Sequence, residues 1–88
     1  MNDTETRLKE FIEWTERAFD AEITCLNVTA TVLDRLADNI TLNGDRAVHN
    51  GIQIVSRSSM FCDAYVDCMI SDSDGQRCEA QLVIPNIL

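Results

Sequence analysis

Residues 60 to 85, MFCDAYVDCMISDSDGQRCEAQLVIP, hold three of the chain's four cysteines. Thiolates bind zinc, carry redox chemistry and act as nucleophiles, so their spacing is the first thing to weigh. A structural zinc site needs close ligand pairs of the C-x2–4-C kind. Cys62, Cys68 and Cys78 are spaced C-x5-C and C-x9-C, and the only histidine, His49, falls in an expected turn. That spacing favours thiols packed as small hydrophobes over a metal or redox centre. Asp72, Asp74 and Gly75 resemble part of a calcium loop. Ile70 stands where its first acidic ligand belongs, however, and Gln81 where its closing glutamate belongs. There is no phosphate-cradling glycine loop and no nucleophile elbow. The expectation is a protein without a cofactor that is not an enzyme.

The elements that carry these residues follow from periodicity. A first helix is expected over about 4–21. Asp3 or Thr4 caps it, and Leu8, Phe11, Ile12, Thr15, Ala18 and Phe19 line one face. Trp14 sits at the edge of that stripe. A second helix is expected over about 27–42, stopped by Asn43-Gly44. Two rivals stay open. Ile12, Phe19, Leu26, Leu33 and Ile40 recur every seventh residue, which suits one long helix pairing with another chain. The β-branched run EITCLNVTATV suits a strand over 23–32.

After Gly44 the period becomes two. Strands are expected over about 51–57, 60–71 and 76–84. A three-residue loop, Ser73-Asp74-Gly75, sets Ile70 opposite Cys78, Cys68 opposite Ala80 and Val66 opposite Leu82. A turn at 57–59 would pair Ile54 with Cys62 and Ile52 with Ala64. The fold class expected is therefore α+β. Residues 1–88 would form one domain, with two N-terminal helices packed on a three-stranded antiparallel β-meander. Cys62, Cys68 and Cys78 share the face the helices would cover.

The outer face is then the informative one. Phe61, Asp63, Tyr65, Asp67, Met69 and Glu79 mix aromatic and methionine side chains with carboxylates, the composition of a partner surface. Fifteen acidic against seven basic residues give a net charge of −8, and Lys9 is the only lysine. Such a field repels nucleic acid and anionic membranes and attracts basic protein surfaces. No apolar run approaches the ~18 residues of a membrane helix. No secretory signal opens the chain, so a cytoplasmic location is expected.

In size, charge and class the pattern is similar to that of small acidic inhibitor proteins of phages and mobile elements. The resemblance implies a chain that mimics nucleic-acid charge and occupies a basic site on a nucleic-acid-handling protein, in the host cytoplasm if phage-encoded. The alternative is a homo-oligomeric structural or regulatory module, such as a homodimer, that associates through the outer sheet face or a long helix.

Overall fold

Asp3 and Glu5 put negative charge in the first turn of a helix and Arg17 puts positive charge in the last, which complements the helix dipole. This helix, α1, runs Asp3–Phe19. It ends where Asp20 turns left-handed at φ 51°. The computed structural model describes residues 3–58 and 61–88. Leu8 is fully buried, and Phe11 and Ile12 pack half-buried against the core. Ala18 and Phe19, expected on the same face, are exposed.

The chain then departs from the expected second helix. Glu22–Val28 is a strand, β1. Ala30–Leu36 forms α2, Ala37–Asn39 a single 3-10 turn, and Ile40–Asn43 a second strand, β2. Both the helix over 27–42 and the single long helix are thereby overturned. The β-branched residues of EITCLNV prevail as strand formers. Thr29 is extended (φ −75°, ψ 165°) and starts α2, whose Val32 and Leu36 are buried.

Asn43-Gly44, read as a helix stop, is part of a hairpin. Asn43 pairs with Arg46 across a two-residue loop, with Gly44 at φ 65°. Arg46–His49 is β3 and Ile52–Ser56 is β4. Between them Asn50 (φ 50°) and Gly51 (φ 81°) make a second two-residue turn, in which both residues take the positive φ that such hairpins require. His49, expected in a turn, is a strand residue and only 5% exposed. Ala64–Ser71 and Arg77–Val83 complete the set as β5 and β6. Met60, the expected first residue of the β5 strand, lies outside the described residues, as does Ser59 of the expected 57–59 turn.

The expected three-stranded meander is replaced by one six-stranded mixed sheet in the order β2-β3-β4-β1-β5-β6. The reason is β1. It inserts between β4 and β5, parallel to the first and antiparallel to the second. Ile54 therefore pairs with Leu26, and Ala64 with Val28, instead of Ile54 with Cys62 and Ile52 with Ala64. The β5–β6 register is the expected one, with Val66 opposite Leu82, Cys68 opposite Ala80 and Ile70 opposite Cys78. Its loop closes on Asp72, whose carboxylate accepts hydrogen bonds from the Asp74 and Gln76 backbone N–H groups, with Gly75 left-handed at φ 79°.

Both helices cover one side of the sheet. The core joins Leu8, Val32 and Leu36 to Leu26, Val28, Ile54, Ala64 and Val66, and Ile84 and Ile87 from the C-terminal segment close it. Of the thiols expected there, only Cys68 is buried; Cys62 is half-buried and Cys78 exposed. Cys78 lies on β6, an edge strand that the helices leave largely uncovered. No described helix is long and apolar enough to cross a membrane.

His49 faces the underside of α1, and burial holds its imidazole below the ordinary 6.5, opposed by the nearby Glu5 carboxylate. Protonation is thus harder in the folded chain than in the unfolded one. The stability supplied by neutral His49 is complete above 6.5 and is lost as pH falls through the lowered folded value. The urea midpoint should fall between about pH 7.5 and about pH 5, and His49→Gln should flatten that decline. An unchanged slope in the variant would place the acid sensitivity elsewhere.

Candidate functional site

The second face of the sheet is the candidate site, because both helices lie on the other side. β1 brings Cys25 and Asn27 to it, and β4 brings Gln53 and Val55 opposite them. β5 contributes Tyr65, Asp67 and Met69, paired across β6 with Val83, Gln81 and Glu79. Four of the six residues expected at a partner surface, Tyr65, Asp67, Met69 and Glu79, thus lie on one face. Asp63 precedes β5, and its backbone carbonyl accepts a hydrogen bond from the Thr29 N–H. Phe61 stands in the β4–β5 connection with its side chain wholly in solvent.

The centre of this face is a polar chain. Asn27 has no exposed surface. Its Nδ2 donates to Asp67 Oδ2 at 2.8 Å, and its Oδ1 accepts from Arg57 Nε at 2.7 Å. Gln81 Nε2 donates to Asp67 Oδ1 at 3.0 Å, and the Thr24 hydroxyl donates to the Asp67 carbonyl at 2.9 Å. Arg57, Asn27, Asp67 and Gln81 thereby span four strands' worth of sheet, from the end of β4 to β6. Each carboxylate oxygen of Asp67 has an amide donor, so its charge is fixed in place. Beside it a depression of about 500 Å³ is lined by Thr24, Met69, Glu79 and Gln81.

Arg77 clamps the far corner. It donates to the Asp20 carbonyl at 2.6 Å, the Ser71 hydroxyl at 3.0 Å and the Met69 carbonyl at 3.2 Å, and it lies near the Asp20 and Glu22 carboxylates. The end of α1 is thus tied to the β5–β6 hairpin.

The thiols here are poor nucleophiles. Burial pushes Cys25 up from its ordinary value, and Asp67 adds to this while Arg57 opposes it. Burial and Asp67 likewise raise Cys68, with Arg77 opposing. Neutral thiols neither attack nor bind metal well. No group of three or more His, Cys, Asp or Glu among the described residues is arranged to hold a metal ion.

Sequence reasoning missed Asn27, Arg57 and Cys25, since all three depend on β1 being a central strand. The strand alternation places Asp67 on the outer face but does not reveal that its side chain is half-buried and doubly hydrogen-bonded. Comparison with protein-family models, with curated proteins and with solved structures finds no match to this chain.

Two outcomes follow from this geometry. Asn27→Leu should cost about 1–3 kcal/mol, because it leaves Asp67 and Arg57 short of a buried partner. Gln81→Ala, at an exposed position, should cost well under half of that. Urea unfolding of both variants measures it, and equal losses would deny Asn27 its central role. In the native protein, alkylation followed by mass spectrometry should modify Cys78 first, with Cys25 and Cys68 last. Rapid modification of Cys68 would contradict its burial.

Proposed function

We propose that the chain is a non-catalytic protein-binding module that presents the helix-free face of its sheet to a partner with a basic surface. One observation carries this reading. An open sheet face has at its centre an immobilised carboxylate, Asp67, flanked by Tyr65, Met69 and Val83 and bordered by Glu79. Apolar anchors around fixed charge are what a docking surface needs, since a rigid group loses little entropy on binding. The net charge of −8 supports a basic partner through charge complementarity. In its most specific form the module is an inhibitor. Its carboxylates take the place of phosphates in an arginine- and lysine-lined site of a nucleic-acid-handling protein. Cytoplasmic action belongs to the same proposal.

Self-association through the same face is the second reading. It is favoured by Val83, 57% exposed on that face, and by Phe61 in the β4–β5 connection, whose side chain is wholly in solvent. A symmetric face-to-face pair would bring like charges together at Asp67 and Glu79, which weakens this reading against a basic partner.

The test uses exposed positions, because Asp67→Lys would break the hydrogen bonds to Asn27 and Gln81 and unfold the comparison with it. Asp63→Lys with Glu79→Lys should weaken the complex with a captured and purified partner by tenfold or more, roughly 1.4 kcal/mol or above. Phe61→Ala should weaken it by about 2 kcal/mol if that ring is an anchor. Glu10→Lys, on α1, should act mainly on the association rate and fade as salt rises. Calorimetry at two salt concentrations measures affinity, and light scattering of the chain alone separates self-association. Open-face variants that bind like the unaltered chain would end the proposal. A concentration-dependent mass abolished by Phe61→Ala would establish the second reading instead.

A further inference from the structure

On the helix side of the sheet, between α1 and the β3–β4 turn, lies a cleft of about 530 Å³. Its volume is in the range of small-molecule sites, roughly 300–1,000 Å³. It shares no residue with the open face. Glu5, Glu13 and Glu16 edge it from α1, Ile12 and Ile52 form an apolar stretch, and His49 lies within it. We propose that this cleft binds an aliphatic organic dication, two ammonium or guanidinium heads joined by an apolar stem.

His49 supplies the first argument. It is 5% exposed, and its imidazole makes no hydrogen bond to a described residue. Its ring nitrogens are not among the sealed unsatisfied polar atoms, so they open into the cleft. A neutral imidazole offers one acceptor nitrogen to a donor that enters the cleft. Burial keeps the ring neutral, which suits an incoming donor.

The carboxylates set the shape of the ligand. At 1.5 Å per residue Glu5 and Glu13 stand about 12 Å apart along α1, and Glu5 and Glu16 about 16 Å. Glu5 is held by the Asn39 amide, which donates to its Oε1, so one negative end is fixed. Lys9 lines the cleft between the two ends and opposes a positive charge at mid-length. Ile12 and Ile52 favour an apolar segment there. An anion would meet three carboxylates against one ammonium. Acidic groups spread over such a distance do not converge on a metal ion, and no described cluster is arranged to hold one.

The cleft's titrating groups are Glu5, Lys9, Glu13 and Glu16 on α1 and His49 on β3; Asn39 and Asn50 are neutral. Protonated His49 would repel a cation, so affinity should decline on acidification.

The experiment titrates the full chain with diaminooctane at constant ionic strength near neutral pH. It follows the His49 ring and the Ile12 and Ile52 methyl groups by NMR. Saturable shifts at all three sites are expected. Affinity should be about tenfold or more above that for octylamine, which has the same stem and one head. Glu13→Gln with Glu16→Gln, both at exposed positions, should reduce diaminooctane to the octylamine level. Glu79→Lys, on the open face, should change nothing, so failure here is distinct from failure of the partner proposal. N-acetyl-lysine amide tests a basic side chain as the source of a head; it should bind no better than octylamine. Diaminooctane shifts that never saturate, or a monocation that binds as tightly as the diamine, would overturn the site.

Discussion

Asn27 has no exposed surface, yet it lies on the side of the sheet that no helix covers. An amide removed from water without partners is costly, commonly on the order of 1–3 kcal/mol. Here both ends are satisfied, by Arg57 and by Asp67. The consequence is register. A one-residue slip of β1 would carry Asn27 into the apolar layer among Val66 and Ile54 and place Leu26 or Val28 on the polar side. Among the described residues β1 alone joins the β2-β3-β4 half to the β5-β6 half, so the whole sheet depends on that alignment. The bulge between Ile23 and Cys25 shows how local the constraint is. Beyond the reach of Asn27 the pairing shifts, and the Thr24 hydroxyl takes up the Asp67 carbonyl.

What could be read from the sequence follows from burial on one side or two. β5 and β6 are half-buried, so Met60 to Ile84 alternates, and the loop around Gly75 came out with the correct register. β1 is central, and Leu26, Asn27 and Val28 are buried consecutively. Period two disappears in such a run, and a seven-residue coincidence from Ile12 to Ile40 takes its place. The β-branched composition was the remaining signal, and it was correct. Asn50-Gly51 was a second one. Asn-Gly between Val48-His49 and Ile52 is a strong hairpin signature, and Asn43-Gly44 just before it is nearly another. Read together they give two hairpins in succession and a β2-β3-β4 unit. Four-residue strands such as β2 and β3 are too short to show alternation by themselves.

The candidate surface was legible to the same degree. Tyr65, Asp67, Met69 and Glu79 follow from the parity of β5 and β6 alone. The state of Asp67 does not. Its carboxylate is held by two amides, and one of them, Asn27, sits on β1, where the sequence pattern predicts a helix. Charge shows a similar division. Glu10, Glu13 and Glu16 are exposed on α1, Asp34 on α2 and Asp38 on the 3-10 turn after it, and Asp72 and Asp74 lie in the β5–β6 loop. On the open face the carboxylates Asp67 and Glu79 are accompanied by the guanidinium groups of Arg57 and Arg77. Acidity is therefore a property of the whole surface. A field of that kind acts at long range and is screened by salt, whereas the hydrogen-bonded Asp67 acts only at contact.

The edges of the sheet decide how a partner can approach. β2 and β6 are the two outer strands, and each exposes backbone groups that another strand might pair with. β2 is only four residues long and runs into a turn, Gly44-Asp45, that carries a charge. β6 alternates outward-facing Arg77, Glu79 and Gln81, and Pro85 follows directly beyond Ile84. Short length, edge charge and a nearby proline are the means by which proteins discourage added strands. Arg77 also spends its donors on Met69, Ser71 and Asp20, which locks the end of β6 against its neighbours. Added strands are thus discouraged at β6 by charge and proline and at β2 by its length, and the sheet face without helices stays open. On that face Asp67 is held by Asn27 and Gln81, with Val83 exposed beside them.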